Sequence, residues 1–374
     1  MSAFLLHSRY AWRNGDTAAV LAARRLWRSV NPCVTVVRSD HGGKSPSLAY
    51  QGRYGHYCLD YLEKLRAGTG QDHSSRTVRR HYVDDPAKPV SVDADIHLVE
   101  RPAGRSAPPQ DAFVDFPLRL HFMLDTSKGL ADTMKHVSRR ERENFKRFRL
   151  ARPWNWREST ELGEFLHFYR YAYVPTMAWR HGALARVEPE DSAVTCVLRR
   201  GRFFLLSDED GPVAGIACRW DGRNRQLTVR LLGVMGGETG HYSAGAMKLL
   251  YANLIDWAVR NGVDTIDYQG TEPFLSKGTL QWKRRVSSTV MRAPNFLGDS
   301  TIRMYVRRDT DSIREFLVAN PVLTEDQDGT LVPTYFYDDR RLPRRDLPGE
   351  CGTTGAAREI HLDQLLQYTP RRAG

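Results

Sequence analysis

Paired cysteines, long apolar runs and common catalytic motifs are all missing from this sequence of 374 residues. Its five cysteines are scattered and never form a CxxC pair, so neither a disulfide framework nor a zinc ribbon is expected. No stretch approaches the roughly 18 to 20 apolar residues of a membrane helix, and the amino end resembles no secretory signal, so we expect a cytoplasmic protein without a membrane span. The HExxH, GxSxG and P-loop motifs are missing as well. We therefore expect no metal and no resident cofactor.

Lysine is also scarce, although the chain is strongly basic. Its 55 Lys and Arg residues exceed its 44 Asp and Glu residues, which gives a net charge of +11, and only nine of the basic residues are lysine. A guanidinium fork suits bidentate phosphate contacts better than an ammonium does, so this balance favours an anionic partner. An arginine-rich and alanine-rich chain is also what a GC-rich genome would encode, so composition alone leaves phosphate binding open.

The length and the order of the predicted elements indicate more than one domain. We expect an α/β (α+β) fold with a mixed, mostly antiparallel sheet and flanking helices, divided into segments 1–137, 138–310 and 311–374. The elements predicted after residue 200 are antiparallel strands at 203–207, 213–220 and 226–234, a helix at 243–260, a strand at 265–268, a short helix ending at Trp282, and strands at 288–293 and 302–307. A strand near Tyr335 and a short helix at 360–367 are expected in the last segment.

A basic stripe follows a predicted helix that begins at Ser138. Ser138 and Glu141 match the S-x-x-E capping box, in which each side chain pairs with the backbone N–H of the other residue. Spacings of three, four and three residues put four cations on one face of this helix, namely Arg139, Arg142, Lys146 and Arg149. We interpret this face as a tRNA or phosphate contact. The alternative is an ordinary solvated helix face.

Two longer runs resemble a known enzyme group. FYRYAYVPTMAWRHG (168–182) and YSAGAMKLLYANLIDWAVRNGVDTIDYQGTEPFLSKGTLQWKRR (242–285) look like segments of the Fem-like (FemABX) and BioF2-like acyltransferases of the GNAT superfamily. The resemblance covers about 138–307 and implies two GNAT-like domains, the first a degenerate copy. It also implies amide-bond formation. Fem-like enzymes move an aminoacyl group from aminoacyl-tRNA to an amine, whereas ordinary GNAT enzymes use acyl-CoA.

The loop before the long predicted helix departs from the ordinary GNAT pattern. That pattern is Q/R-x-x-G-x-G/A, whose backbone amides hold the CoA pyrophosphate at the helix amino end. Here the loop reads GVMGGETGHYSAGAM, which is glycine-rich but begins with neither Arg nor Gln. We take Ser243, as the cap of the helix, and Gly245 as donor-binding candidates. The alternative is a loop whose glycines serve only its turns.

The resemblance also implies roles for single residues. Lys283 matches the lysine of the Fem-like Lys-Arg element and, with Arg284, would hold a donor phosphate or ribose; the alternative is a solvated KRR run. Asp267, Tyr268 and Gln269 fall at the carboxyl end of the strand after the long helix, where a GNAT sheet opens. We expect Asp267 to accept a proton and the other two to make polar contacts. A structural Asp before a turn is the alternative for Asp267.

Three further residues are candidates with simpler alternatives. Arg180 and His181 match the "RHG" of the family and would bind the acceptor. Otherwise they only end a helix, where cations suit the helix dipole. His241 has no evident partner in the sequence, so it is a loop histidine first and a general base second.

The reaction that the resemblance implies requires few specialised residues. Acyl transfer to an amine needs a positioned nucleophile, a stabilised oxyanion and a route for protons. The charge, the basic helix, the two-domain length and the imperfect CoA loop favour aminoacyl-tRNA as donor, with acyl-CoA as the alternative. The acceptor is expected to be a small-molecule or peptide amine. A catalytically inactive, basic RNA-binding protein is the second alternative, which the missing RNP-type motifs disfavour.

Overall fold

The computed structural model describes residues 2–31, 33–40, 45–53, 57–67, 75–83, 85–104, 113–182, 185–237 and 239–367. The helices are α1 (Ala3–Asn14), α2 (Ala18–Ser29), α3 (Tyr57–Ala67), α4 (Leu130–His136), α5 (Arg139–Leu150), α6 (Leu162–Phe168), α7 (Val174–His181), α8 (Glu190–Ser192), α9 (Thr239–Ser243), α10 (Ala246–Arg260), α11 (Gly278–Arg284), α12 (Asp311–Ala319) and α13 (Leu362–Leu365). A π-helical turn (Tyr169–Tyr173) joins α6 to α7, and another (Ala193–Leu198) follows α8. No helix of the described residues is long and apolar enough to cross a membrane.

The strands confirm most of the predicted positions. They are β1 (Cys33–Asp40), β2 (Leu48–Gly52), β3 (Ser75–Tyr82), β4 (Ile96–Pro102), β5 (Phe113–Pro117), β6 (Leu120–Asp125), β7 (Asn155–Ser159), β8 (Gly201–Asp208), β9 (Gly211–Asp221), β10 (Gln226–Val234), β11 (Thr265–Thr271), β12 (Thr289–Arg292), β13 (Ser300–Val306), β14 (Val322–Glu325), β15 (Leu331–Tyr337) and β16 (Arg358–His361). The chain is therefore a mixed α/β protein.

Contacts divide the chain into two interleaved units. Unit 1 comprises Met1–Gly15, Phe122–Gln269 and Arg285–Thr289, and unit 2 comprises Asp16–His121, Gly270–Arg284 and Val290–Gly374. The segment 138–310 that we expected to form one domain contributes to both units. The reason is visible in β13, which lies between β4 and β5 and pairs with both of them in the sheet of unit 2.

The sheet of unit 1 contains the strand order β6-β11-β10-β9-β8-β7. The strands from β7 to β10 are successive antiparallel neighbours, and β11 runs parallel to β10. The predicted meander and the mixed, mostly antiparallel sheet are thus confirmed. Consecutive residues of β8 point to opposite faces, and helices cover both: Phe203 packs against Phe165 and Phe168, whereas Phe204 packs against Trp257 of α10 at a ring-centroid distance of 4.9 Å.

The larger sheet of unit 2 has the order β3-β1-β2-β4-β13-β5. β4 runs parallel to β2, and the other neighbours are antiparallel. The core of this unit joins sheet residues such as Leu48 and Ile96 to Leu59 of α3 and Phe316 of α12. A smaller sheet, β14-β15-β16, belongs to the same unit. The expected strand near Tyr335 and the short helix that follows are confirmed as β15 and α13.

The capping box at the start of α5 is only half present. The Ser138 hydroxyl accepts a hydrogen bond from the Glu141 N–H at 3.4 Å, as predicted. However, the Ser138 N–H donates to the carbonyl of Arg285 at 2.7 Å rather than to the Glu141 side chain. The Glu141 carboxylate instead pairs with Lys248 of α10 and lies 3.8 Å from the Arg285 guanidinium. Glu141 therefore ties α5 to α10, a contact that local sequence does not reveal.

Candidate functional site

The strands β10 and β11 are paired over only a short distance. Their parallel ladder joins Gln226–Thr228 to Thr265–Asp267, three residue pairs, although β10 continues to Val234 and β11 to Thr271. The register between β10 and β9 shifts between Val229 and Leu231, which makes Arg230 the extra residue of a β-bulge. The ladder between β10 and β11 ends at Thr228 and Asp267, directly before this bulge in the β9–β10 ladder.

The predicted residues Asp267, Tyr268 and Gln269 lie where this ladder ends. The buried Asp267 carboxylate accepts a hydrogen bond from the Gln269 N–H at 2.6 Å. Gln269 has a φ of 60°, in the left-handed region that a non-glycine residue rarely adopts. The Asp267 contact stabilises this turn, so Asp267 has the structural role of an Asp before a turn. The assignment of Asp267 as a proton acceptor stays a prediction.

Tyr268 is fully enclosed in unit 1. It is 3% exposed, and its ring packs edge-on against Tyr251 with centroids 5.5 Å apart. Burial raises the pKa of Tyr268 well above its ordinary value, and the neighbouring Tyr251 adds to the effect. The phenol therefore stays protonated near neutral pH, so it can donate a hydrogen bond but cannot serve as a resident base.

Lys283 lies in unit 2 and is buried. It is 8% exposed, and its Nζ donates to the Gly270 carbonyl at 3.0 Å. Arg119 donates to the same carbonyl through Nη2 at 3.0 Å. The alternative that Lys283 belongs to a solvated basic run is therefore wrong. Arg284 is half-buried and donates to the backbone carbonyl of Glu350 at 3.3 Å.

An ion cluster lies beside the Gly270 carbonyl within unit 2. The Glu272 carboxylate is almost fully buried, pairs with Lys277 and accepts a hydrogen bond from Arg119 Nη1 at 3.0 Å. Burial by itself would raise the pKa of Glu272, but Arg119 and Lys277 outweigh it and lower the pKa to about 2. Lys277 also lies over the Tyr61 ring, 4.7 Å from its centroid. Sequence reasoning did not identify this cluster, because Arg119 lies far upstream in the chain.

The glycine-rich loop differs from its expected role. Ser243 does not cap the long helix, which begins at Ala246; it ends α9, and its hydroxyl donates to the Thr239 carbonyl at 3.0 Å. The residue before α10 is Gly245, with a φ of 86° and no side-chain cap. A Cβ at Gly245 would overlap the ring of Phe148 on α5. Gly245 is therefore required by its backbone conformation and by close packing, and its role in donor binding stays a prediction.

The basic stripe of α5 is largely occupied by contacts inside unit 1. Arg142 donates to the carbonyls of Met134 and Val137, at 2.9 and 2.6 Å. The other bound cations are Arg139, which pairs with Glu143 at 2.8 Å, and Arg149, which pairs with Asp256 at 2.8 Å. Among the described residues only Lys146 of the four has no hydrogen-bond or ion-pair partner. The stripe exists as predicted, but its charge is mostly balanced locally.

Arg180, His181 and His241 lie on two short helices. Arg180 and His181 end α7, as in the simpler alternative, and the Arg180 guanidinium stands 5.5 Å from the centroid of the Tyr242 ring. His241 lies within α9 rather than in a loop. The structure gives Arg180 an aromatic neighbour, and acceptor binding by Arg180 and His181 stays a prediction.

A polar cluster at the bulge was missed in the sequence. Arg230 donates to the Asn14 side chain at 2.9 Å, lies 3.4 Å from the Glu188 carboxylate and stands 5.1 Å from the centroid of the Tyr10 ring. Ser192 donates to Glu188 at 2.5 Å. The Tyr10 hydroxyl is buried and has no hydrogen-bond partner within the described part of the chain. An arginine inside the apolar run QLTVRLLGV was the one available signal.

The chain has similar proteins only among solved structures, within the three comparisons that follow. No family model matches the sequence, and no curated protein matches it. Among solved structures, the chain is similar to L-PGS from Bacillus licheniformis, with 14% identity, a TM-score of 0.38, and coverage of 85% of this chain and 96% of that chain. It is also similar to FemX, with 10% identity, a TM-score of 0.39, and coverage of 55% and 65%.

A third similar structure is a GCN5-related N-acetyltransferase from Kribbella flavida. It has 11% identity, a TM-score of 0.25, and coverage of 91% of this chain and 77% of that chain. GNAT acetyltransferases thus stand among the similar chains. At these identities and TM-scores, the similarities assign no function to this protein.

One group of side chains has the composition of a metal site. Asp339, His361 and Asp363 bring one ligand atom each within 4.8 Å of one another. Asp363 is also bound by Arg314 at 2.7 Å, and Asp339 is 90% exposed. A cation would compete with the Arg314 guanidinium for Asp363, so we assign no metal to this group.

Proposed function

We propose that the chain is an N-acyltransferase that forms an amide bond, with aminoacyl-tRNA as donor and a small-molecule or peptide amine as acceptor. The observation that carries this proposal is that the pairing of β10 with β11 ends after three residue pairs, next to the bulge at Arg230 in the β9–β10 ladder. Where parallel strands separate, backbone N–H groups are available to a ligand instead of a ladder. An acyl carbonyl placed there would have its developing oxyanion stabilised by such N–H groups.

The proposed reaction needs no covalent enzyme intermediate. The lone pair of the acceptor nitrogen attacks the ester carbonyl carbon of the donor, and collapse of the tetrahedral intermediate breaks the bond to the ribose oxygen. The nitrogen loses one proton and the ribose oxygen gains one. We assign the first proton to Asp267 and the polar contacts to Tyr268 and Gln269. Because burial keeps the Tyr268 phenol protonated, its role in this proposal is to donate a hydrogen bond rather than to give up its proton.

The start of α10 supports tRNA over acyl-CoA as donor. An acyl-CoA enzyme of the GNAT type binds pyrophosphate on the backbone N–H groups that open the long helix. Here the Phe148 ring packs so closely on Gly245 that even a methyl group would overlap it. The loop also begins with neither the Arg nor the Gln of the acyl-CoA pattern, and this departure favours aminoacyl-tRNA as the donor.

The donor phosphates or ribose are assigned to Lys283 and Arg284. Both side chains donate to backbone carbonyls, of Gly270 and Glu350, so each is held in a defined position. Fixed cations lose less freedom when they bind an anion than exposed, mobile ones do. The Fem-like resemblance of the KRR element supports the same assignment.

The test offers the purified protein two sets of donors with labelled acyl groups: a pool of aminoacyl-tRNAs and a set of acyl-CoAs, each with an amine pool. We expect label to move from aminoacyl-tRNA to an amine, and Tyr268→Phe to slow this transfer while the fold is retained. Transfer from acyl-CoA alone would reverse the donor assignment. Loss of label from neither donor, with retained tRNA binding, would favour the inactive RNA-binding protein.

A further inference from the structure

Strand β3 is an exposed edge of the unit 2 sheet. It pairs with β1 along its whole length and stands last in the strand order, so its other edge has no strand partner among the described residues. Of its eight residues, Ser75–Tyr82, seven are exposed and only His81 is half-buried. Both faces of β3 therefore meet solvent, unlike those of its neighbour β1, where Val34, Val36 and Val37 are buried.

The charge of this strand is of one sign. Its sequence, SRTVRRHY, contains three arginines and a histidine but no acidic residue. Arg76 is bound by Asp60 at 2.8 Å and by Glu63 of α3. Within the part of the chain that the structure describes, Arg79 and Arg80 have no hydrogen-bond or ion-pair partner. Two neighbouring guanidinium groups thus stand in solvent, one on each face of the edge.

Apolar side chains stand between these charges. Val78 is 59% exposed and Tyr82 is 85% exposed. Alternation along the strand places Arg80 and Tyr82 on one face, about 7 Å apart. Basic residues at a sheet edge also oppose aggregation, but exposed Val78 and Tyr82 work against that purpose. The combination suits a partner that binds both a guanidinium cation and an aromatic ring.

We infer that the β3 edge, defined as Val78, Arg79, Arg80 and Tyr82, is a docking surface for RNA. The guanidinium groups bind phosphates, and Tyr82 stacks on an unpaired base. The choice of RNA among polyanions rests on the proposed function. The basic stripe of α5 is the weaker surface for this purpose, because most of its cations are already held by carboxylates or carbonyls of unit 1.

The first experiment measures binding of deacylated tRNA across a range of salt concentrations, with no acceptor present. The variant is R79Q/R80Q, and the matched control is R199Q/R200Q, an exposed pair of adjacent arginines in unit 1. Both variants lower the net charge by two. We expect R79Q/R80Q to bind about tenfold more weakly and to reduce the slope of log K against log salt by roughly 1.4 to 1.8, since each phosphate contact contributes about 0.7 to 0.9. The control should change little.

The second experiment separates stacking from charge. Tyr82→Ala should weaken binding of a single-stranded oligonucleotide on the order of tenfold with an unchanged salt slope, and Tyr82→Phe should restore it because the ring is kept. If R79Q/R80Q and R199Q/R200Q lose tRNA affinity equally, the loss depends only on net charge, and the inference is overturned. Unchanged tRNA binding in R79Q/R80Q would overturn it as well, as would binding to phosphatidylglycerol vesicles but not to tRNA.

These outcomes are distinguishable from those of the proposed function. A protein that binds deacylated tRNA through β3 but transfers no label contradicts only the acyltransferase proposal. If the wild type and R79Q/R80Q transfer label from aminoacyl-tRNA equally well at donor concentrations below saturation, the result contradicts only the docking surface.

Discussion

At the scale of single residues, burial changes what a substitution at Lys283 is expected to do. The ammonium donates to the Gly270 carbonyl and the residue is 8% exposed, so Lys283→Ala removes an internal hydrogen bond as well as the proposed donor contact. We expect donor kcat/KM to fall roughly tenfold to a hundredfold, which corresponds to a charge-assisted contact of about 1.5 to 3 kcal/mol. The free energy of unfolding, measured in urea, should fall as well.

Lys283→Met is the control for this prediction. It keeps the length of the side chain and removes the charge, so packing is retained better than in Lys283→Ala. If the charge serves the donor, both variants lose donor use. Wild-type turnover in Lys283→Ala at donor concentrations below saturation would remove Lys283 from the proposed site.

The buried His97 on β4 is expected to make the stability of the protein depend on pH. It is 1% exposed, and neither ring nitrogen has a hydrogen-bond partner among the described residues. Burial, with a smaller contribution from the positive Arg307, lowers the pKa of His97 to about 4. The pKa of histidine in the unfolded chain is about 6.5. Below that pH the unfolded chain binds a proton at His97 that the folded chain does not bind. Stability is therefore lost as the pH falls from about 6.5 to 4, by on the order of 3 kcal/mol.

His97→Leu tests this account. It removes the titrating ring and replaces a buried polar group without a partner by an apolar one. We expect equal or higher stability at pH 7, and a smaller loss between pH 7 and pH 4.5 than in the wild type, measured by urea unfolding at both pH values. Parallel losses in the two proteins would show that other groups govern acid unfolding.

At the scale of elements, the start of α10 depends on one glycine. Gly245 has a φ of 86°, and a Cβ there would overlap the Phe148 ring. Gly245→Ala should therefore lower the free energy of unfolding by about 1 to 3 kcal/mol, through both backbone strain and overpacking. Thermal and urea unfolding measure the effect.

Gly240 in the neighbouring α9 offers a matched control. It has no left-handed φ, and a Cβ there would meet no atom within 4 Å. Because alanine favours helix by up to about 1 kcal/mol over glycine, Gly240→Ala should be neutral or stabilising. Similar losses in both variants would mean that the loop as a whole, rather than the Gly245 contact, is sensitive to substitution.

At the scale of the whole molecule, the two units share one arrangement. In unit 2, β2 is followed by α3 and then by β4, which is parallel to β2. In unit 1, β10 is followed by α10 and then by β11, which is parallel to β10. Two copies of one domain would each show this order of strand, helix and parallel strand, but a degenerate first copy stays a prediction, because the two units are interleaved in the chain.

The interleaving predicts that segment 138–310 does not fold alone. Its strand β13 pairs with β4 and β5, which lie outside the segment, and unit 1 would lose α1 and β6. We expect the isolated segment to unfold without a cooperative transition by circular dichroism, whereas the full chain melts cooperatively. A cooperative melt of 138–310 would instead support the contiguous domain expected from the sequence.

Local sequence was enough to predict the meander of β8, β9 and β10, the helix α10, and the cap at Ser138. These follow from side-chain periodicity and turn residues within a few positions. Four features depend on the folded chain: β13 joins the sheet of unit 2, Lys283 is buried, Arg142 caps α4, and Arg230 lies beside Glu188. Each of these depends on which distant segments pack together, and burial and pairing energies are set by such neighbours rather than by local propensity.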